Sequence, residues 1–133
     1  NNGNYNNILS QLFAIKTIAT AFDTYQKTST TKQKYDWIVL ARYDTVIKDF
    51  PDLSSCDNNK FYLSHSHPRF PDLIQFFGPK FIDWAKDVYS DVDFVYKSIW
   101  EPSPEAFKKG SFLRKFNESD ICPCPVDARA IRE

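Results

Sequence analysis

Residues 35 to 48, Tyr-Asp-Trp-Ile-Val-Leu-Ala-Arg-Tyr-Asp-Thr-Val-Ile-Lys, constrain the fold more than any other stretch of this chain. Trp37 to Ala41 read as a buried strand that runs straight into three exposed polar residues, Arg42, Tyr43 and Asp44, before apolar character resumes at Val46 and Ile47. Charge at the end of a hydrophobic strand is costly to bury. It is easy to use, because open α/β sheets bind ligands just beyond the carboxyl ends of their strands. The triplet is therefore the first place to look for chemistry.

Around that strand the apolar spacing alternates between helix and strand. Ile8, Leu12, Ile15, Ala19 and Phe22 recur at steps of four and three, one face of a helix that ends near Tyr25. Ser10, Gln11 and Lys16 fall off that face and read as solvated, and the Asn-rich residues 1 to 7 read as a source of a helix cap. Phe61, Tyr62 and Leu63 form a short second strand, and residues 73 to 78 continue as a strand or a short helix. Pro79 suits the first turn of a helix carrying Phe81, Ile82, Ala85, Val88 and Tyr89 on one face. A further helical spacing, Val92, Val95, Tyr96, Ile99 and Trp100, is ended by Pro102. Pro104 then opens a helix from Glu105 to Phe116, with Phe107 and either Phe112 or Leu113 inward and Gly110 as its weak point. The tail, with Pro123 and Pro125 before Val126, Ala128, Ala130 and Ile131, reads as an edge strand or extended segment. The expectation is an α/β fold, a mixed sheet flanked by helices, in one domain over residues 1–133.

Composition narrows the partners. Lys plus Arg and Asp plus Glu both count 17, and no basic block runs along the chain, which argues against nucleic acid. Twelve Phe and no Met imply a core of large rings. Cys56, Cys122 and Cys124 are odd in number and match no zinc spacing, so they read as free structural thiols. No apolar run reaches the length of about 18 residues that a membrane span needs, and no leader peptide is visible at the start. A soluble, cytoplasmic protein is expected. The chain begins without Met, as a piece of something longer would.

Two constellations carry candidate chemistry. Asp44 could bind a hard divalent cation that bridges the phosphates of a bound nucleotide, with phosphate oxygens and water filling the remaining positions. Equally, Arg42 and Asp44 could be no more than an ion pair at the sheet edge. The second constellation is the polar stretch that holds His65, His67, Arg69 and Asp72, kept extended by Pro68 and Pro71. Its two histidines could share a metal or could be hydrogen-bonded surface residues. Asp72, between Pro71 and an apolar run, is placed to accept a hydroxyl proton or to hold a sugar hydroxyl. There is no Gly-rich phosphate loop, no Ser nucleophile elbow and no His-Glu-x-x-His.

Residues 38 to 47, Ile-Val-Leu-Ala-Arg-Tyr-Asp-Thr-Val-Ile, resemble the hydrophobic strand and metal-binding element of glycosyltransferases with the nucleotide-sugar-binding GT-A fold. Those enzymes usually carry Asp-x-Asp there, and this chain has the Arg-x-Asp form that a subset of similar proteins shows. In that subset a helix like residues 7 to 16 and a Tyr-Asp like Tyr35 and Asp36 precede it, and an Asp ahead of a Phe-x-x-Gly-like run resembles residues 70 to 78. The resemblance covers about residues 7 to 90, with a looser echo at Arg129 and Arg132. It implies a partial GT-A fold, the carboxyl-terminal part of a glycosyltransferase domain without the amino-terminal half that binds the nucleotide. It implies transfer of a sugar from a nucleotide-sugar donor to a carbohydrate acceptor. Arg42 and Asp44 would bind the donor, Asp44 would hold a divalent cation (Mn or Mg), His65 and Arg69 would meet the acceptor, and Asp72 would be the catalytic base of a direct displacement, whereas a retaining route would need no such base. The Arg in place of the first Asp leaves metal dependence open. An exposed sheet edge would favour a homodimer. The other reading is a non-catalytic carbohydrate-binding or scaffold domain that keeps the fold, with Trp37, Phe70 and Trp84 as core residues or sugar platforms.

Overall fold

The apolar stripe of the first helix is buried as its spacing requires. Ile8, Leu12, Ile15 and Ala19 all face the core, and Phe22 packs on Tyr35 at 5.9 Å between ring centroids. The fold is that of a computed structural model, which describes residues 2–28, 30, 34–64, 73–124 and 126–131. Helix α1 (Asn2–Thr28) starts six residues ahead of the first apolar position, in an Asn-rich stretch of poor helix formers. Tyr5 explains the extension: its ring lies 5.9 Å from that of Tyr96 and 6.3 Å from that of Phe107. Tertiary packing of this kind overrides weak propensity.

Strands β1 (Ile38–Ala41), β2 (Thr45–Asp49), β3 (Phe61–Leu63) and β4 (Ile74–Phe77) follow α1. Next come helices α2 (Ile82–Asp87), α3 (Val92–Tyr96) and α4 (Pro104–Lys115), then strands β5 (Ile121–Pro123) and β6 (Asp127–Ala130). A four-stranded sheet has the order β1-β4-β3-β5, and β2 pairs with β6 in a separate two-stranded ribbon. The larger sheet is mixed, since β4 is antiparallel to both β1 and β3 while β5 runs parallel to β3. The architecture is thus mixed α/β, a mixed sheet with helices.

β3 and β4 are buried on both faces, so the sheet has cover on each side. On the helix side Phe61, Leu63 and Phe77 join α1, α2 and α4 through Leu12, Trp84 and Phe112. On the other side Tyr62, Ile74 and Phe76 meet Val126 and Ala128, with Trp37, Phe50 and the three free, half-buried thiols packed around them. Register places Phe61 opposite Phe77 and Tyr62 opposite Phe76. Both pairs stack, at 4.9 Å and nearly parallel, a cross-strand contact worth about 0.5–1.5 kcal/mol beyond its area.

Two expectations change, and one left open is decided. Trp37 to Ala41 read as a buried strand, yet β1 is the end strand of its sheet, and Val39 and Ala41 are exposed. The spacing from Val92 to Trp100 yields only the short α3, and Trp100 is fully exposed. In α4 it is Phe112 that turns inward, while Leu113 is exposed. Gly110 has a packing reason: a Cβ there would lie 2.4 Å from Val95 Cγ1, so α3 and α4 approach as closely as they do because it has none. Buried Asp91 pins the same two helices, accepting from Ser111 Oγ at 2.6 Å and from Arg114 at 2.7 Å. No helix among the described residues is long and apolar enough to cross a membrane.

Candidate functional site

Strand alternation sends Ile38 and Leu40 toward the helices, and Arg42, two residues on, continues that face. The Arg42 amide donates to the Leu73 carbonyl at 3.2 Å, one step past the end of the β1–β4 ladder. Its carbonyl accepts from the Thr45 amide at 3.1 Å, closing a tight turn that carries the chain out of one sheet and into β2. The Asp44 carbonyl accepts from the Ile131 amide at 2.6 Å, tying the turn to the end of β6. Three backbone bonds thus fix the triplet, with Tyr43 fully exposed at its tip.

Within the turn, Arg42 and Asp44 grip each other. Arg42 Nε donates to Asp44 Oδ1 at 3.0 Å, and a terminal guanidinium nitrogen donates to Oδ2 at 2.7 Å. This is the bidentate fork that suits guanidinium and carboxylate. The hydrogen bonds from Arg42 hold the Asp44 carboxyl below its ordinary value of about 3.8, against a smaller upward push from burial. A lowered folded value means that the pair adds stability above the unfolded carboxylate's value, about 3.9, and loses it as pH falls through the folded one. Following the Asp44 carboxyl by NMR should give a titration midpoint below the ordinary range. In Arg42→Gln the midpoint should climb back, and an unmoved midpoint would mean that Arg42 is not its cause.

A cavity of about 890 Å³ opens beside Arg42. One wall is α1, which runs antiparallel to β1: Phe22 meets Tyr35 ahead of the strand, while Asn7 and Gln11 lie with Arg42 and Tyr43 beyond its end. The lining is aliphatic at Ile15, Ile18 and Leu40 and polar at Arg42, at Gln75, which stands opposite Leu40 in the β4 register, and at Lys108 of α4. Both Gln75 and Lys108 are only 1% exposed. The α4 backbone at Lys108 is held from below, since Trp84 Nε1 donates to the Lys108 carbonyl at 3.0 Å. No Asp or Glu lines the cavity among the described residues, and Arg42, which does, is paired with Asp44 in the turn.

Lys108 and Gln75 were not expected from sequence, and Ser10 and Gln11, expected to be solvated, line the cavity. A signal for Lys108 existed: it sits beside Phe107 and one helical turn before Phe112, which places it on the buried face of α4. Of the other expected site residues, His65, His67, Arg69 and Asp72 lie outside the described residues, as does Arg132. Leu73, the first described residue after that stretch, is the one that accepts from the Arg42 amide.

The donor set at Asp44 does not fit a divalent cation. Such an ion takes about six oxygen ligands, whereas both Asp44 oxygens are committed to Arg42, and the described residues contain no group of three His, Cys, Asp or Glu able to hold a metal. No step below runs through a metal. Compared with protein-family models, with curated proteins and with solved structures, the chain gives no match.

Proposed function

We propose that this chain is a glycosyltransferase-like domain that moves a sugar from a nucleotide-sugar donor to a carbohydrate acceptor. Its α/β fold would be part of a GT-A fold, with the donor diphosphate lying at Arg42. The observation that carries this reading is the cavity off the carboxyl end of β1, where Arg42 faces inward and no carboxylate lines the wall among the described residues. A guanidinium is well suited to phosphate oxygens. Asp72 would take the acceptor's proton, and His65 and Arg69 would meet the acceptor.

Of the rings the non-catalytic reading offers as sugar platforms, Trp84 is closed off and Trp37 is half-buried. Trp84 is fully buried against Phe61 and Phe77, and Trp37 packs on Tyr62 and Phe76. Calorimetric titration with a panel of uridine, guanosine and thymidine diphosphate sugars tests the donor reading. Saturable binding of at least one, weakened about tenfold by Arg42→Gln, is expected. No heat across the panel, or binding indifferent to Arg42→Gln, would sink it.

A further inference from the structure

We infer that Cys56 and Cys124 form a disulfide site: a disulfide oxidant such as oxidised glutathione joins their sulfurs and fastens the β2–β3 connection to the β5–β6 connection. The structure holds the reduced form, with Cys56, Cys122 and Cys124 all free and half-buried. Three observations bring the site together. All three thiols pack on one apolar cluster, Tyr62, Ile74, Phe76, Val126 and Ala128, on the face of the sheet away from the helices. The segment that carries Cys56 lies across that face. Phe50 meets Phe76 with ring centroids 5.0 Å apart, and the Asp57 amide donates to the Tyr62 hydroxyl at 2.9 Å. β5 brings its thiols to the same face, since Cys122 stands opposite Tyr62 in the parallel β3–β5 register. The Cys124 amide extends that ladder, donating to the Leu63 carbonyl at 2.8 Å.

Strand geometry decides which pair closes. Cys122 and Cys124 are two residues apart on an extended segment, which holds such residues about 6.6 Å apart with parallel side chains. A disulfide needs Cβ atoms about 3.5–4.5 Å apart. Cys56 comes instead from the segment packed against that face. Cys122 Sγ is turned to the Pro123 carbonyl at 3.9 Å. Burial pushes the Cys124 thiol above its ordinary value of 9.0, and Cys56 pushes it further, ahead of Cys122 although Cys122 is nearer in sequence. Cys124 is therefore the partner of Cys56.

The bond forms by exchange. The Cys56 thiolate attacks one sulfur of oxidised glutathione, the glutathione S–S bond breaks, and the departing half leaves with the electron pair and takes up a proton. The Cys124 thiolate then attacks the Cys56 sulfur of that mixed disulfide, and the second glutathione leaves in the same way. Two electrons and two thiol protons pass from the protein to the oxidant, which becomes two molecules of reduced glutathione. The bridge also bears on the candidate site. β2 begins at the Arg42–Asp44 turn and pairs with β6, so the bond locks that ribbon onto the larger sheet.

The test incubates the whole chain with oxidised glutathione or with dithiothreitol, alkylates the remaining thiols and maps disulfide-linked peptides by mass spectrometry. The expected product is a Cys56–Cys124 bridge, with the mass of two hydrogens lost and Cys122 alkylated. It should form in Cys122→Ser and in neither Cys56→Ser nor Cys124→Ser. The bridged protein should melt about 5–10 °C above the reduced one, and dithiothreitol should reverse both changes. The inference is overturned by a bridge between any other pair or between two molecules, or by glutathione adducts with no bridge. Three alkylated thiols after oxidation, or a bridged protein that melts no higher, overturn it equally. Mapping in the unmodified protein decides the pairing without any variant having to fold.

Discussion

Replacing Trp84 by Ala is expected to remove about 3–5 kcal/mol of stability, the range for deleting a large buried aromatic, read from urea unfolding. Trp84 is fully buried. Its ring meets Phe61 edge-on at 5.0 Å and Phe77 at 6.1 Å, so it is the piece of α2 that seats the helix layer on the centre of the sheet. Its indole N–H also donates to the Lys108 carbonyl. Trp84→Phe separates the two roles. It keeps most of the ring contact but removes one donor from a carbonyl that also accepts within α4, a loss of about 0.5–1.5 kcal/mol. A cost under about 1.5 kcal/mol for Trp84→Ala would mean that the helix layer is not organised around this ring.

Local spacing made much of this legible, and the misses share a cause. Ile8, Leu12, Ile15 and Ala19 could be read because a long amphipathic helix repeats its signal over several turns. Phe61 to Leu63 and residues 74 to 77 could be read because both are short apolar runs between breakers. The same kind of run at Trp37 to Ala41 misled, since five residues carry no mark of whether a strand lies at the centre or the end of its sheet. β1 became the end strand because β4 pairs with it on one side only. Asn2 to Asn7 were missed as helix because the residue that holds them, Tyr5, finds Tyr96 and Phe107 about a hundred residues away in sequence. At the site, the triplet was visible as charge at a strand end, but sequence left open whether Arg42 and Asp44 serve a ligand or each other. The fork shows that they bind each other, and the cavity shows that Arg42 still faces a space. Lys108 was hidden by its type, since a Lys inside a helix reads as solvated unless its neighbours at three and four residues are weighed first.

Gly78→Ala should cost about 3 kcal/mol or more, at or beyond the upper end for overpacking. The reason is not backbone strain, because the φ of −80° at Gly78 suits any residue. The added Cβ would lie 2.2 Å from the Asn58 carbonyl oxygen and 3.0 Å from both the Asn58 carbonyl carbon and its Cβ. A backbone atom must then move, and this one is poorly placed to do so. The Lys60 amide donates to the Asp57 carbonyl at 3.0 Å, the Asp57 amide donates to the Tyr62 hydroxyl at 2.9 Å, and the Asn58 side-chain amide donates to the Asp36 carbonyl at 3.1 Å. Pushing Asn58 aside therefore strains the lead-in to β3 and, through Asp36, the lead-in to β1, the strand that ends at Arg42. The entropic gain of replacing Gly, about 0.4–1 kcal/mol, is too small to offset that. Gly110→Ala is the internal control. Its added Cβ would meet only a side chain, that of buried Val95, which is stiff and must shift, and Ala offsets part of that cost by favouring helix over Gly by about 1 kcal/mol. Urea unfolding of the two variants should rank Gly78→Ala as clearly the worse. The reverse order would mean that the loop at Asn58 yields more easily than the α3–α4 contact, and that β1 is not anchored through Asp36.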